Sequence, residues 1–157
     1  MEKPLTEHIS PGKAPPDIRA YEKSGGYSVL KKAFSMEPEE IQKLVKESGL
    51  KGRGGAGFST GMKWGFVPMG EDAPETKYLI ANADEMEPGT FKDRLLLEGN
   101  PHQLIEGMIL SAYAIQASAG YIFLRWAYKR SGILITEALK EAYEAGYLGD
   151  NILGSGY

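Results

Sequence analysis

Apolar side chains recur at helical spacing in several stretches of the chain and run together in two short blocks. Residues 27–34 place Tyr27, Leu30 and Phe34 on one helical face. A better marked helix follows: Pro38 suits its first position, Glu39 and Glu40 complement its positive end, Ile41, Leu44 and Val45 form its stripe, and Ser48-Gly49 ends it. Asn100 and Pro101 open a longer helix reaching about Gln116, with Leu104, Ile105, Met108, Ile109, Ala112 and Ile115 facing inward. Ser131 opens the last, whose stripe is Ile135, Leu139, Ala142 and Tyr143, and Gly146 stops it. The continuous blocks KYLIA (77–81) and YIFLRW (121–126) read as strands, the first as a buried parallel strand. Strand, helix, strand, helix is the order of a right-handed crossover unit in an α/β sheet.

Two strands make a narrow parallel sheet, and the closing NILGSGY reads as a turn, so the natural protein is expected to continue past this chain. Residues 1–24 carry four of the nine prolines (Pro4, Pro11, Pro15, Pro16), which predicts an extended arm lying over the remainder, residues 25–157. The uncharged run 107–124 has the length of a membrane span, but Ser111, Gln116, Ser118 and Gly120 interrupt it and 117–120 reads as a turn. The N-terminus lacks the apolar segment of a signal peptide, which predicts a cytosolic-facing protein. A net charge of −3 gives no general attraction for nucleic acid, and with no cysteine the chain ligates no iron–sulfur cluster and forms no disulfide.

Chemistry concentrates in residues 49–64. Six glycines (Gly49, Gly52, Gly54, Gly55, Gly57, Gly61) fall within thirteen residues, interleaved with Lys51, Arg53 and Lys63. A backbone without Cβ atoms can present its N–H groups directly to a bulky anion, and the interleaved cations fit a phosphate. A flexible linker would lack the large residues Arg53, Phe58, Lys63 and Trp64. Gly52, Gly54 and Gly57 match G-x-G-x-x-G, yet a helix rather than a strand precedes them, and no Gly-Lys-Ser or Gly-Lys-Thr of a Walker loop follows. Ser59 or Thr60 is expected to cap a short helix running through Gly65. The fold expected is α/β: an incomplete Rossmann-like parallel sheet with crossover helices, preceded by a proline-rich arm and by helices leading into the glycine-rich loop.

Past the first strand, 82–93 (NADEMEPGTFKD) is a loop dense in carboxylates, with Asp84, Glu85 and Glu87 where open α/β sheets place their ligands. Such carboxylates accept hydrogen bonds from sugar or ribityl hydroxyls; the plainer reading is a solvated acidic loop neutralised by Lys92 and Arg94. A divalent metal is disfavoured, because neither histidine nor a regular carboxylate ladder accompanies the cluster. Phe58 and Phe66 flank Lys63 and Trp64 and could stack on a purine, while Trp64 itself reads as core. His102 reads as a surface or capping histidine, His8 lies in the arm, and two histidines so placed build no Ser/His/Asp set.

GRGGAGFSTGMKW, then NADEMEPGTFKDR, then PHQLIEGMILSAYAI resemble one family over essentially all 157 residues: the NADH-binding, FMN-carrying subunit (designated F) of bacterial NADH-quinone oxidoreductase, respiratory complex I. Ser59 and Met86 stand where many members have proline and serine, and Trp126-Ala127 replaces the usual Gly-Glu, a departure that bears on the turn after the second strand.

The resemblance implies FMN held by Gly52, Arg53, Gly54 and Lys63, with Asn82, Asp84 and Glu85 on its ribityl and ring side. It implies NADH over the flavin on Gly55, Ala56, Lys63 and Glu87, adenine against Phe58 and Phe66, and Glu87 and Lys63 as the catalytic residues, Glu87 fixing the nicotinamide end and Lys63 offsetting phosphate charge. The implied reaction is hydride transfer from the nicotinamide (NAD) to FMN, then single-electron steps to iron–sulfur centres. A [4Fe–4S] cluster is implied only in a further C-terminal part. The implied partners are the [2Fe–2S] subunit and the large iron–sulfur subunit of the complex (designated E and G), with contact to the membrane only through the complex, on its cytoplasmic side. The diaphorase subunit of a soluble NAD-linked hydrogenase or formate dehydrogenase looks alike through this region, and a structural fragment that only binds partner subunits is the non-catalytic alternative.

Overall fold

A computed structural model of the chain describes residues 3–10 and 12–157. The prolines of residues 1–24 do not keep the whole arm extended: α1 (Ile18–Lys23) forms after them, its first turn capped by Asp17, whose Oδ1 accepts the Ala20 N–H at 2.8 Å. Pro11 lies outside the described residues. α2 (Ser28–Ala33) starts one residue later than the apolar spacing suggests, because Tyr27 adopts a left-handed conformation (φ 58°) at its N-cap. That turn also needs Gly26, where a Cβ would overlap the Tyr21 ring. Tyr27 is held there by burial and by stacking on Tyr147 with ring centroids 4.0 Å apart.

α3 (Pro38–Glu47) begins on its proline and closes a capping box between Glu37 and Glu40. Ile41 is buried and Val45 half-buried, but Leu44 faces solvent, so the stripe is narrower than expected. α4 (Thr60–Trp64) follows the glycine loop, capped by Ser59, whose Oγ accepts the Met62 N–H at 3.4 Å. α4 crosses α3 so closely that a Cβ on Gly61 would overlap the Lys46 backbone. Trp64 packs, as expected of it, against the smaller core of Ala33, Ile41 and Ala114.

β1 (Tyr78–Ala83) and β2 (Ala119–Leu124) pair in parallel, Tyr78 opposite Ala119 through Ala83 opposite Leu124. Between them lie a helix that the sequence pattern does not announce, α5 (Lys92–Gly99), and α6 (Pro101–Ile115); α7 (Lys129–Glu144) follows β2. The uncharged run 107–124 is thereby divided between a helix and a strand, and no helix among the described residues is long and apolar enough to cross a membrane. The main core gathers Leu97, Ile105 and Ile109 with Ile135, Ala138 and Ala142, and Leu30 and Tyr27 close it from the N-terminal side.

The sheet face carrying Ala83, Ile122 and Leu124 meets this core, whereas Tyr78, Ile80, Tyr121 and Phe123 on the other face are exposed. The first strand is therefore buried on one side only, contrary to the expectation from its continuous apolar run. Ser131 lies within the first turns of α7, fully buried, its Oγ donating to Glu98 Oε1 at 2.9 Å; it braces α5 against α7 rather than opening the helix. Tyr143 points outward.

Candidate functional site

The glycine segment is a pinned loop. Lys51 bridges Ser59 in antiparallel fashion, the Gly52 N–H donates to the Phe58 carbonyl at 2.8 Å and the Thr60 N–H to the Leu50 carbonyl at 2.9 Å. Residues 53–57 form the tip. Gly55 (φ 121°) and Gly57 (φ 63°) take backbone conformations that a side chain disfavours. Nothing lies within 4 Å of where a Cβ would stand on Gly54, Gly55 or Gly57, so the backbone is open to an approaching ligand. Among the described residues, no acceptor takes the N–H groups of residues 53–58. A run of free amide donors beside Arg53, Lys51 and Lys63 meets the chemical requirement of a phosphate. Gly61 stands apart from this group, since its missing side chain serves the α3–α4 contact.

Phe58 and Phe66 come together across the loop and α4, with ring centroids 6.2 Å apart and planes tilted by 43°, both rings exposed. Lys63 is also exposed on α4. Two aromatic faces beside an anion-receptive loop suit a heteroaromatic ring attached to a phosphate.

At the carboxyl end of β1 the acidic residues divide. Asn82 and Glu87 are exposed, Asp84 is half-buried, and the Asn82 Oδ1 accepts the Asp84 N–H at 3.1 Å, which turns the chain. Glu85 is different: only 2% of it is exposed, and its carboxylate is taken up within the chain. Oε1 accepts the Asp93 N–H at 3.0 Å, Oε2 accepts the Arg94 N–H at 3.3 Å, and the Tyr128 hydroxyl donates to Oε2 at 3.1 Å. The carboxylate thus serves the free amides at the start of α5 and complements their positive end. Its carbonyl accepts from Arg125 Nη1 at 2.6 Å. Burial pushes the Glu85 carboxyl up, but the two amide donors, the Tyr128 hydroxyl and the charge of Lys92 outweigh it and hold the group below its ordinary value. The oxygens of Glu85 thus have partners within the chain, and the residue supports the turn that carries Asp84 and Glu87.

Among the described residues no hydrogen bond or ion pair joins the loop group (Gly52, Arg53, Gly54, Gly55, Ala56, Phe58, Lys63, Phe66) to the turn group (Asn82, Asp84, Glu85, Glu87). A hollow of about 880 Å³ lies elsewhere, between the core face of the sheet and α6 and α7, lined by Ile105, Ile109, Ile122, Leu124 and Ile135. None of the candidate residues borders it. The Trp126-Ala127 departure falls on an exposed turn, with the Tyr128 N–H donating to the Arg125 carbonyl at 2.9 Å and Trp126 86% exposed beneath the Lys129 ammonium. Arg125 and Tyr128 on either side keep their hold on Glu85.

His102 is not the surface histidine that its position suggests. It is 1% exposed, with Nδ1 at 2.9 Å from the Tyr27 hydroxyl and Nε2 at 3.0 Å from Glu141 Oε2. The signal is distributed over three elements, and a lone histidine at a helix start carries none of it.

Residues 45–153 match the family described as the Nuo51 FMN-binding domain. The chain is 51% identical to the NADH-quinone oxidoreductase subunit designated F of Buchnera aphidicola (subspecies Schizaphis graminum) over 98% of its own length and 34% of that protein's. It is 50% identical to the corresponding subunit of Escherichia coli over 98% of its length and 35% of that protein's, and 52% identical to that of Aquifex aeolicus over 89% and 32%. The chain thus spans about a third of the length of the curated relatives it matches. Among solved structures it superposes on an NAD+-reducing [NiFe]-hydrogenase in the air-oxidized state with a TM-score of 0.67 and 36% identity, covering 92% of this chain and 23% of that one. In the H2-reduced state the figures are 0.65 and 39%, over 76% and 21%. With the pinned, anion-receptive loop and the acidic turn lying inside the matched residues, the chain belongs to the Nuo51 FMN-binding domain family.

Proposed function

We propose that this chain forms the FMN- and NADH-contacting part of an NADH dehydrogenase subunit that works within a quinone-reducing respiratory complex. The observation that carries the reading is the open row of amide donors at 53–58, which fits a flavin phosphate on chemical grounds. Gly52, Arg53 and Gly54 lie around the phosphate, the free amides of Arg53 and Gly54 donating to it, with Lys63 offsetting its charge. Asn82 and Asp84 meet the ribityl and ring side, on a turn that Glu85 holds in place. NADH is oriented by Gly55, Ala56 and Glu87, and its adenine lies against Phe58 and Phe66. Bound FMN supplies the capacity to take a hydride from NADH and to release electrons one at a time; the residues of this chain contribute orientation, charge compensation and exclusion of water. The iron–sulfur centres that take up those electrons belong to other parts of the assembly, among them a [2Fe–2S] subunit and a large iron–sulfur subunit, since this chain has no cysteine. Attachment to the membrane is through the rest of the assembly, on its cytoplasmic side.

A second reading, the diaphorase subunit of a soluble NAD-linked enzyme, is favoured by the likeness to the NAD+-reducing hydrogenase, and the flavin site would be the same in both.

The test is flavin retention and NADH oxidation by the full-length protein in its assembly. Replacing Arg53 or Lys63 by Ala removes a charge-assisted contact of about 1.5 to 3 kcal/mol, so FMN affinity should fall about tenfold or more. Glu87→Gln should keep the flavin and raise KM for NADH. Unchanged flavin content in both Arg53→Ala and Lys63→Ala would overturn the phosphate assignment, and unchanged NADH kinetics in Glu87→Gln would overturn the role of Glu87. Quinone reduction by the purified assembly separates the main reading from the diaphorase one.

A further inference from the structure

A cleft of about 290 Å³ opens between residues 9, 10, 12 and 13, α5 and the start of α7, lined by Ile9, Lys13, Phe91, Arg94, Leu95 and Arg130 among others. The flavin reading makes no use of it. We propose that this cleft is a docking site for an extended, carboxylate-bearing segment of another protein chain, an inference that does not depend on the flavin assignment.

Charge is the first argument. The chain as a whole is acidic, with a net charge of −3, yet three cations, Lys13, Arg94 and Arg130, meet here around a single carboxylate, Glu98. Arg130 Nε lies 3.5 Å from Glu98 Oε2, while among the described residues no carboxylate lies within ion-pair reach of Lys13 or Arg94. A basic patch on an acidic chain selects an acidic partner and repels a second copy of its own basic surface.

Preorganisation is the second. The Arg94 guanidinium lies 5.4 Å from the centroid of the Tyr128 ring, and that ring is itself held by its bond to Glu85. Glu98 orients Arg130 and is in turn fixed by the buried Ser131 hydroxyl at 2.9 Å. Two planar donor forks set in place lose little freedom on meeting carboxylates, so more of each contact appears as affinity. On the opposite wall a Cβ on Gly99 would stand 2.6 Å from Ile9 Cγ2, so Ile9 is seated against α5 where only glycine leaves room. Phe91 and Leu95 are exposed between the cations, which gives the partner segment an apolar anchor beside its charges. A free phosphate or nucleic acid would use the cations and leave Phe91 and Leu95 idle.

The experiment places a photo-cross-linking amino acid at Leu95 in the full-length protein in its native cells and identifies the adducts by mass spectrometry of the digested cross-link. The expected result is a cross-link to a segment of another chain in which Asp or Glu residues flank an apolar side chain. Its yield should fall about tenfold or more in Arg94→Gln/Arg130→Gln, in keeping with the loss of one or two charge-assisted contacts. The thermal midpoint of that variant is measured in parallel; if it drops, Lys13→Gln, on the segment outside the packed helices, carries the same comparison. Adducts confined to this chain, to lipid or nucleic acid, or to segments poor in carboxylates would overturn the proposal, as would no adduct at all or a yield unchanged by every one of these variants.

Discussion

Tyr27 and His102 meet inside the protein, hydroxyl to Nδ1 at 2.9 Å, although 75 residues separate them in the chain. Nε2 of the same ring lies 3.0 Å from Glu141, which also accepts the Ile18 N–H at 2.8 Å, so one tautomer, Nε2–H, satisfies every member. Burial, then the nearby carboxylate of Glu106, push the Tyr27 hydroxyl far above its ordinary range, which keeps it a donor. The network ties α1 and α2 to α6 and α7. His102→Ala removes a buried ring and strands two partners, and should cost about 2 to 4 kcal/mol of unfolding free energy. Tyr27→Phe should cost about 1 kcal/mol, and the two losses should not add, as read from urea unfolding of the single and double variants.

Glu85 predicts an acid limit. Its folded pKa lies below the ordinary carboxyl value of 4.5, so the stability that it contributes is present above that pH and is lost as pH falls through the folded pKa. In Glu85→Gln the amides of Asp93 and Arg94 lose a charged acceptor, and the variant should be less stable than the wild type at neutral pH, with the two stability curves converging below pH 4.5. Thermal midpoints recorded across that range check it.

Tyr157 predicts the opposite limit. Burial raises its pKa from 10.0 to about 12, and its hydroxyl donates to the Ala117 carbonyl. The contribution of the protonated phenol is complete below pH 10 and disappears as pH rises to about 12. Tyr157→Phe should flatten that alkaline decline, measured by chemical unfolding at stepwise higher pH.

Two glycines of one motif should respond differently to the same methyl group. Gly61→Ala forces α4 away from the Lys46 backbone and should cost about 1 to 3 kcal/mol. Gly54→Ala meets nothing within 4 Å and needs no left-handed backbone, so its unfolding midpoint should stay near that of the wild type, while its flavin retention should fall. Equal destabilisation by both would mean that the tip of the loop is packed in solution.

What the sequence makes legible is local. The proline start of α3 at Pro38, the cap at Ser59, the two strands and the glycine-rich tip all carry their signals within a few residues of themselves. α5 escapes because its N-terminus has no Ser, Thr, Asp or Asn cap; the acceptor for its amides is Glu85, eight residues before Asp93 and recognisable only once folded. The same distance effect hid the surroundings of His102, whose partners lie 75 and 39 residues away. The open face of β1 is a further case, since a continuous apolar run cannot say which of its two sides will find a neighbour.

That open face has a practical side. Tyr78, Ile80, Tyr121 and Phe123 form a greasy shelf on a ribbon only two strands wide, and water must order itself around all four. Any surface of matching character is drawn to such a shelf without regard to identity. Handled in isolation, this polypeptide should self-associate as its concentration rises, and mild detergent should screen the shelf.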